Sequence, residues 1–327
     1  MPVISVLIAV LNGEKTIRKS IESAQAQSIR DIEIVVVDDG STDGTYALVT
    51  SMASADPRIK CVRMPKNVGV GAARNAALAA ATGEWVTILD ADDWYEPRRL
   101  EVMLKAAREH EADLVADNLQ IYDHVCNSVV DRTHHGRRNK VAELTAEKFF
   151  AGDNPLRRHP TGFLQPMIRR QFIADHKVSY DPSYRVGEDF IFVAELLLQG
   201  ARGFIVPDAS YVYVHRISPT TRKISPHSHS EVAAVFSLFM RGCDALLEKY
   251  RAVISPGAKR ALERRRWLFE KAVKYKEMRA ALRQHKFFTA TRIVLANPLI
   301  LLLVAQIISG WVIANARFYI FVRHVSQ

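Results

Sequence analysis

Two apolar runs in the first hundred residues end in carboxylates. Ile34-Val35-Val36-Val37 leads into Asp38-Asp39-Gly40-Ser41, and Trp85-Val86-Thr87-Ile88-Leu89 leads into Asp90-Ala91-Asp92-Asp93. Short β-branched runs of this kind read as strands buried on both faces of a parallel sheet, and such sheets bind ligands beyond the carboxyl ends of their strands. Acidic groups gathered at one edge repel unless a cation lies among them. Asp-x-Asp offers hard oxygens suited to Mg2+ or Mn2+, ions that also bind diphosphate oxygens. The edge is therefore expected to hold a divalent metal and a nucleotide diphosphate.

Each motif also has a plainer reading. Asp90, Asp92 and Asp93 can be solvated carboxylates with a helix cap among them, although three in four positions exceed what capping needs. Asp39 and Ser41 can serve a turn and a cap; on the neighbouring strand end, Asp39 can instead accept from a base N–H. Gly69-Val70-Gly71 follows a strand and opens a helix, as a dinucleotide fingerprint does, but the third glycine position is Arg74. An arginine beside a helix N-terminus suits a sugar-nucleotide phosphate equally well. Glu188 and Asp189 open a helical pattern, where the helix dipole alone favours acids. His215 closes an apolar stretch and can approach the metal or the diphosphate.

These groups need a scaffold that brings them to one edge. Strand patterns at Val3–Leu11, Glu33–Val37, Ile59–Arg63, Trp85–Leu89 and Asp113–Ile121 alternate with helical patterns at Lys15–Ala26, Ser41–Ala55, Ala72–Ala81 and Arg98–His110. The alternation predicts a doubly wound, mostly parallel α/β sheet. After Asn127 it weakens. Helices are expected at Ala146–Ala151, Ile168–His176 and Asp189–Gln199, with strands at Phe204–Val206 and Tyr211–Val214. The Ser/Thr/Pro/His-rich stretch Ser218–His229 reads as a mobile flap carrying Arg222. The expected organisation is a main domain at 1–230, with a nucleotide half at 1–121 and an acceptor half at 122–230. A basic helical region follows at 231–292, then an apolar segment at 293–327.

The chain has 327 residues and a net charge of +10, and the charge is concentrated. From Lys259 to Arg292 twelve Lys and Arg face three Glu, a surplus of nine, which leaves the main domain near neutral and argues against nucleic-acid binding there. Ile293–Ala316 carries no charged residue. A basic helix running into such a segment predicts contact with the cytoplasmic face of a membrane. The three cysteines, Cys61, Cys126 and Cys243, show no metal-ligand spacing and fit a reducing compartment. The N-terminus reads as a first strand rather than a signal peptide.

Taken in order, Val6–Glu14, Val37–Asp43, Asn67-Val68-Gly69 with Ala73-Arg74-Asn75, and Leu89–Asp93 with Pro97 resemble the family 2 glycosyltransferases of GT-A fold. Gly187-Glu188-Asp189-Phe190 is similar to the family's Glu-Asp motif. The nearest members in character are bacterial enzymes of exopolysaccharide (succinoglycan-type) synthesis. The resemblance implies a metal-dependent inverting transferase that moves a hexose, glucose from UDP-glucose above others, onto a lipid-linked saccharide at the inner membrane. It implies Asp189, with Glu188, as catalytic. It implies Asn12, Glu14, Asp39, Gly69, Arg74, Asp90 and Asp92 at the nucleotide, and Asp92, Asp93 and His215 at Mn2+ or Mg2+. The chain departs from the family at Ala9-Val10-Leu11-Asn12, where a Tyr often stands, and lacks the Gln-x-x-Arg-Trp motif of processive enzymes. The rival readings are an NAD(P)-dependent oxidoreductase and a membrane-tethered sugar-nucleotide-binding protein without catalysis.

Overall fold

The computed structural model describes residues 2–124, 126–133, 140–153, 160–215 and 229–297. Two compact units emerge, one of residues 1–146 and 163–216 and the other of residues 147–162 and 217–327. Residues 147–162 join the helical unit. An ion pair accounts for that membership: Asp153 lies 2.7 Å from the buried Arg265, whose Nη1 also donates to the Cys243 Sγ.

The first unit begins with strand β1 (Ile4–Val10), helix α1 (Ile17–Gln25), β2 (Ile32–Asp38), α2 (Thr45–Ala55), β3 (Ile59–Arg63), α3 (Val70–Ala80) and β4 (Trp85–Ile88). β1 pairs in parallel with β2 on one side and β4 on the other, and β2 pairs in parallel with β3. Sandwiched on both edges and both faces, β1 and β2 can be apolar without alternation, and Ile4, Val6, Ile8, Ile34 and Val36 are fully buried. α1 covers them with Ile17, Ser20, Ile21 and Ala24, the i, i+3, i+4, i+7 stripe of an amphipathic helix. Each such Ile contributes about 1.5–3 kcal/mol of burial energy.

The chain continues through β5 (Trp94–Tyr95), α4 (Arg99–Glu109), β6 (Leu114–Asp123), β7 (Ser128–Arg132), β8 (Ala142–Glu143) and α5 (Ala146–Gly152). It then forms β9 (Met167–Arg169), α6 (Arg170–Asp175), α7 (Glu188–Leu198) and β10 (Gly203–His215). Among the described residues the sheet has ten strands, in the order β3-β2-β1-β4-β9-β6-β10-β5, with β7 on β6 and β8 on β10. It is a mixed sheet of GT-A type, parallel from β3 to β4.

The sequence reading differs in several places. The helix expected at Ile168–His176 is confined to α6, because Ile168 and Arg169 join Met167 in a strand wedged antiparallel between β4 and β6, where Met167 and Ile168 are buried; the sheet overrides local helical preference. Trp94–Tyr95 forms a short strand on β10. The two strands foreseen at 204–206 and 211–214 are one, with register shifts around Ala209.

At the amino edge of the sheet, Glu33 is buried. Its Oε1 accepts from Ser5 Oγ at 2.5 Å and Thr82 N at 2.6 Å, and its Oε2 lies 2.5 Å from Lys60 Nζ. Burial alone would raise this carboxyl, but Lys60, Ser5 and Thr82 bring it down to about 2. A folded value below the unfolded one gives stability that is present above about pH 4.5 and lost as pH falls toward 2. Glu33→Gln is expected to cost about 1–3 kcal/mol at pH 7. In urea unfolding the gap to wild type should narrow through that acidic window; a pH-independent gap would exclude the charge.

Candidate active site

The turn after β4 is anchored from behind. Tyr211 on β10 donates its hydroxyl to Asp93 Oδ2 at 2.8 Å and accepts from the Asp90 N–H at 3.1 Å. The Val214 N–H donates to Asp93 Oδ1 at 2.7 Å. Asp93 is thus 2% exposed with both oxygens taken by β10. Burial, then the charges of Asp92 and Asp90, push its carboxyl well above the ordinary range. Asp93, expected at the metal, is thus engaged in pinning the turn to β10.

Arg74 gathers the reactive groups. It lies on α3, whose Ala-rich stretch keeps the helix close against the sheet and leaves this long side chain to reach the carboxyl edge. Its Nη2 donates to Asp90 at 2.8 Å, and its Nη1 donates to Asp189 at 2.6 Å and Glu188 at 3.0 Å. One guanidinium, 4% exposed, therefore joins β4 to the first turn of α7. Gly187, left-handed at φ 81°, turns the chain into that helix. Burial pushes the Asp189 carboxyl up; Arg74 opposes this, Glu188 and Asp90 reinforce it, and the result is about 7. A carboxyl poised there, still 22% exposed, has the protonation range and access of a general base.

Asn75, the next residue, was not foreseen. Its Nδ2 donates to the Tyr180 carbonyl at 2.8 Å and its Oδ1 accepts from the Tyr180 N–H at 2.9 Å, so the amide pairs with the backbone as a strand would. The Tyr180 ring stacks on Phe192 of α7, centroids 4.1 Å apart. Arg74 and Asn75 thus grip the Asp189 helix by its carboxylates and by the segment beneath it. Gln165 adds a second unforeseen contact, donating to Asp90 Oδ2 at 3.3 Å. The buried Arg99 guanidinium, paired with Asp117 at 2.8 Å, donates to the Gln165 carbonyl and so holds that contact. Asn75→Ala is expected to lower kcat about ten- to a hundredfold with donor KM within about twofold. Asn75→Asp, which keeps an acceptor for Tyr180 N–H, should fall between. A change confined to melting temperature would rule out the positioning role.

The remaining predicted residues bind the first two loops together. Asn12, left-handed at φ 53°, accepts from Thr42 N at 2.9 Å, and its N–H donates to Ser41 Oγ at 2.8 Å. Glu14 accepts from Gly44 N at 3.1 Å. Asp39 accepts from Val68 N at 2.8 Å and Gly69 N at 3.0 Å, fastening the 67–69 turn to β2 and leaving about two lone-pair positions for a base. Gly69 has φ 95°, which side-chain-bearing residues rarely adopt. A Cβ at Gly40 would meet the Lys66 carbonyl carbon at 2.6 Å, so the two loops can approach only with glycine there.

Asp90 and Asp92, partly exposed at one strand end, supply hard oxygens that fit a divalent cation. Among the described residues no group of three His, Cys, Asp or Glu is arranged to hold an ion. A metal here would take further oxygens from diphosphate and water, as Mg2+ usually does. The backbone of His215 pairs with Asp123 at the end of β10, but its side chain lies outside the described residues, as do Arg216 and residues 218–228 of the expected Ser218–His229 flap, Arg222 among them.

The GT-A sheet and this carboxylate edge define a nucleotide-sugar transferase class. The chain matches the model of glycosyl transferase family 2 over residues 5–174 and belongs to that family. It is 32% identical over 252 residues to the succinoglycan biosynthesis protein ExoO of Rhizobium meliloti, covering 76% of this chain and 72% of ExoO. It is 33% identical over 220 residues to ExoU of the same organism, covering 65% of this chain and 62% of ExoU. Among solved structures, S. aureus TarS 1–349 in complex with UDP-GlcNAc aligns at TM-score 0.58 and 19% identity over 90% of each chain. The mannosyltransferase PcManGT of Pyrobaculum calidifontis, in complex with GDP-Man and Mn2+, aligns at TM-score 0.60 and 18% identity, covering 99% of this chain and 87% of that one. These structural likenesses concern the fold. Family membership removes the oxidoreductase reading of Gly69-Val70-Gly71.

Proposed function

We propose that this protein is an inverting, non-processive hexosyltransferase that moves glucose from UDP-glucose to a lipid-linked saccharide in exopolysaccharide repeat-unit synthesis. The observation that carries the reading is the Arg74-centred cluster, which sets a carboxyl poised near neutrality at Asp189 beside Asp90-x-Asp92. An acceptor hydroxyl oxygen attacks the anomeric carbon as the bond from that carbon to the diphosphate oxygen breaks. Asp189 takes the hydroxyl proton, the bonding pair leaves with UDP, and the anomeric configuration inverts. Asp92 and Asp90 would hold Mn2+ or Mg2+, which when bound neutralises charge on the diphosphate. Asp39 would accept from the base, with Asn12, Glu14 and Gly69 shaping the loops around the nucleotide.

The names of ExoO and ExoU support the exopolysaccharide setting, and the UDP-GlcNAc held by the TarS fold supports a UDP-sugar donor. The uncharged run Ile293–Ala316 after the basic helices supports attachment to the cytoplasmic face of an inner membrane. Residues 298–316 of that run lie outside the described residues. Among the described residues no helix is long and apolar enough to cross a membrane.

The test is a panel of nucleotide sugars offered with membrane-extracted lipid acceptors, with product linkage and anomeric configuration read by NMR. UDP-glucose should give the fastest transfer, with inversion. A retained configuration, or transfer only from a non-uridine donor, would overturn the corresponding part. Binding of UDP without transfer or hydrolysis of any UDP-sugar would leave only a binding protein.

A further inference from the structure

The helical unit consists of α8 (His229–Lys249), α9 (Pro256–Arg283) and α10 (Phe287–Ala296). α8 and α9 bury Phe236, Phe269 and Ala272 between them. α10 folds back on α9 through Gln284–Lys286, where His285 takes φ 56°. Its inner face is settled: Ala290 is buried, and Ile293 and Val294 pack with Tyr275, Met278 and Ala281 of α9. The opposite face carries two large apolar side chains, Phe288 85% and Leu295 75% exposed, seven residues apart on one stripe with the exposed Thr291 and Arg292 between them. At the hairpin tip Phe287 is 62% exposed, and Leu282 is exposed beside it. Exposed Phe and Leu interleaved with a basic residue on the outer face of a helix suit a membrane interface better than bulk water.

The charges around this face indicate its occupant. Arg283 and Lys286 are exposed at the same tip and Arg292 further along α10, and no Asp or Glu occurs after Glu277. Phenylalanines ringed by uncompensated cations suit a surface that is apolar within and anionic at its rim, as an acidic phospholipid bilayer is. We propose that the α9–α10 hairpin tip docks on anionic lipid, with Phe287, Phe288 and Leu295 entering the boundary between headgroups and acyl chains. Arg283, Lys286 and Arg292 meet lipid phosphates there. The proposal rests on the membrane attachment put forward above and names a second contact for it, ahead of residues 298–316.

The experiment uses the full chain with vesicles of phosphatidylglycerol and phosphatidylcholine, compared with phosphatidylcholine alone. An environment-sensitive fluorophore is placed by Phe288→Cys in a Cys126→Ser background, because Cys126 is exposed. Its emission should shift to the blue on anionic vesicles and little on neutral ones. The double variant Phe287→Ser, Phe288→Ser should raise the lipid concentration for half-binding at least about tenfold, with UDP affinity unchanged. A probe that stays in water while the protein still sediments with vesicles would overturn the proposal and leave membrane attachment standing through another segment. No association with vesicles or inner membranes would overturn both. A shift that needs protein concentration rather than lipid, with a dimer in sedimentation, would assign the face to a second copy and overturn the lipid reading.

Discussion

Asp189→Asn is expected to lower transfer by at least about 10²-fold while leaving UDP binding within about twofold, the pattern for loss of a base with the nucleotide pocket intact. Asparagine keeps the shape, and its carbonyl can still accept from Arg74. The pH profile gives a sharper test. The carboxyl must ionise to act, so kcat/KM should rise with pH through a midpoint near 7 and then level. Arg74 holds that value down, whereas burial, Glu188 and Asp90 hold it up. Arg74→Met should therefore move the rising limb to higher pH, and Glu188→Gln should move it lower. Stability runs the other way. A carboxyl with a folded value of about 7 against 3.8 unfolded favours the fold when protonated, so its contribution falls as pH rises across that interval. The base is thus ionised at some expense to the fold, and Asp189→Asn should flatten that part of the stability profile. If Asp189→Asn is active and Glu188→Gln is dead, the base lies one residue earlier.

Much of this site was legible because its chemistry sits at strand ends. Apolar runs fix β2 and β4, and the residues that follow them, Asp38–Ser41 and Asp90–Asp93, must emerge at the carboxyl edge. Glu188 and Asp189 needed the family resemblance, since two acids in a first helical turn are ordinary. The connection from Arg74 to all three carboxylates could not be read, because it depends on α3 and α7 meeting across more than a hundred residues of chain. Asn75 and Tyr211 escaped for a related reason. An asparagine in a helix and a tyrosine in a strand have many ordinary explanations, and only their partners, the Tyr180 backbone and Asp93, reveal their use. Ile168 and Arg169 read as the start of the helix that follows because a three-residue strand carries too little periodicity to outweigh it. Of the adjacent acids, Asp93 has the same side chain as Asp92 but lies on the inward side of the turn, a difference set by pairing with β10.

That difference supplies the remaining large effect. Asp92→Asn is expected to abolish detectable transfer and to weaken Mn2+-dependent UDP binding at least about tenfold, since even residues behind a metal's ligands cost 10–100-fold when changed. Replacing one carboxylate oxygen by an amide nitrogen removes a charge and a hard donor from the strand end. Asp93→Asn should behave otherwise. It disturbs the bonds from Tyr211 and Val214, so it should lower the melting temperature and impair turnover through a displaced turn, with the metal dependence of residual UDP binding little altered. Titration calorimetry of UDP across a Mn2+ series, run on both variants beside thermal melts, separates the two roles. Near-wild-type turnover of Asp92→Asn in limiting metal would defeat the assignment, and so would a metal dependence lost in Asp93→Asn but kept in Asp92→Asn. The contrast is demanding because the residues are adjacent and alike in charge. Asp93 is buried against β10 and Asp92 is partly exposed, and that contrast predicts that Asp93→Asn should fail as a support and Asp92→Asn as a ligand.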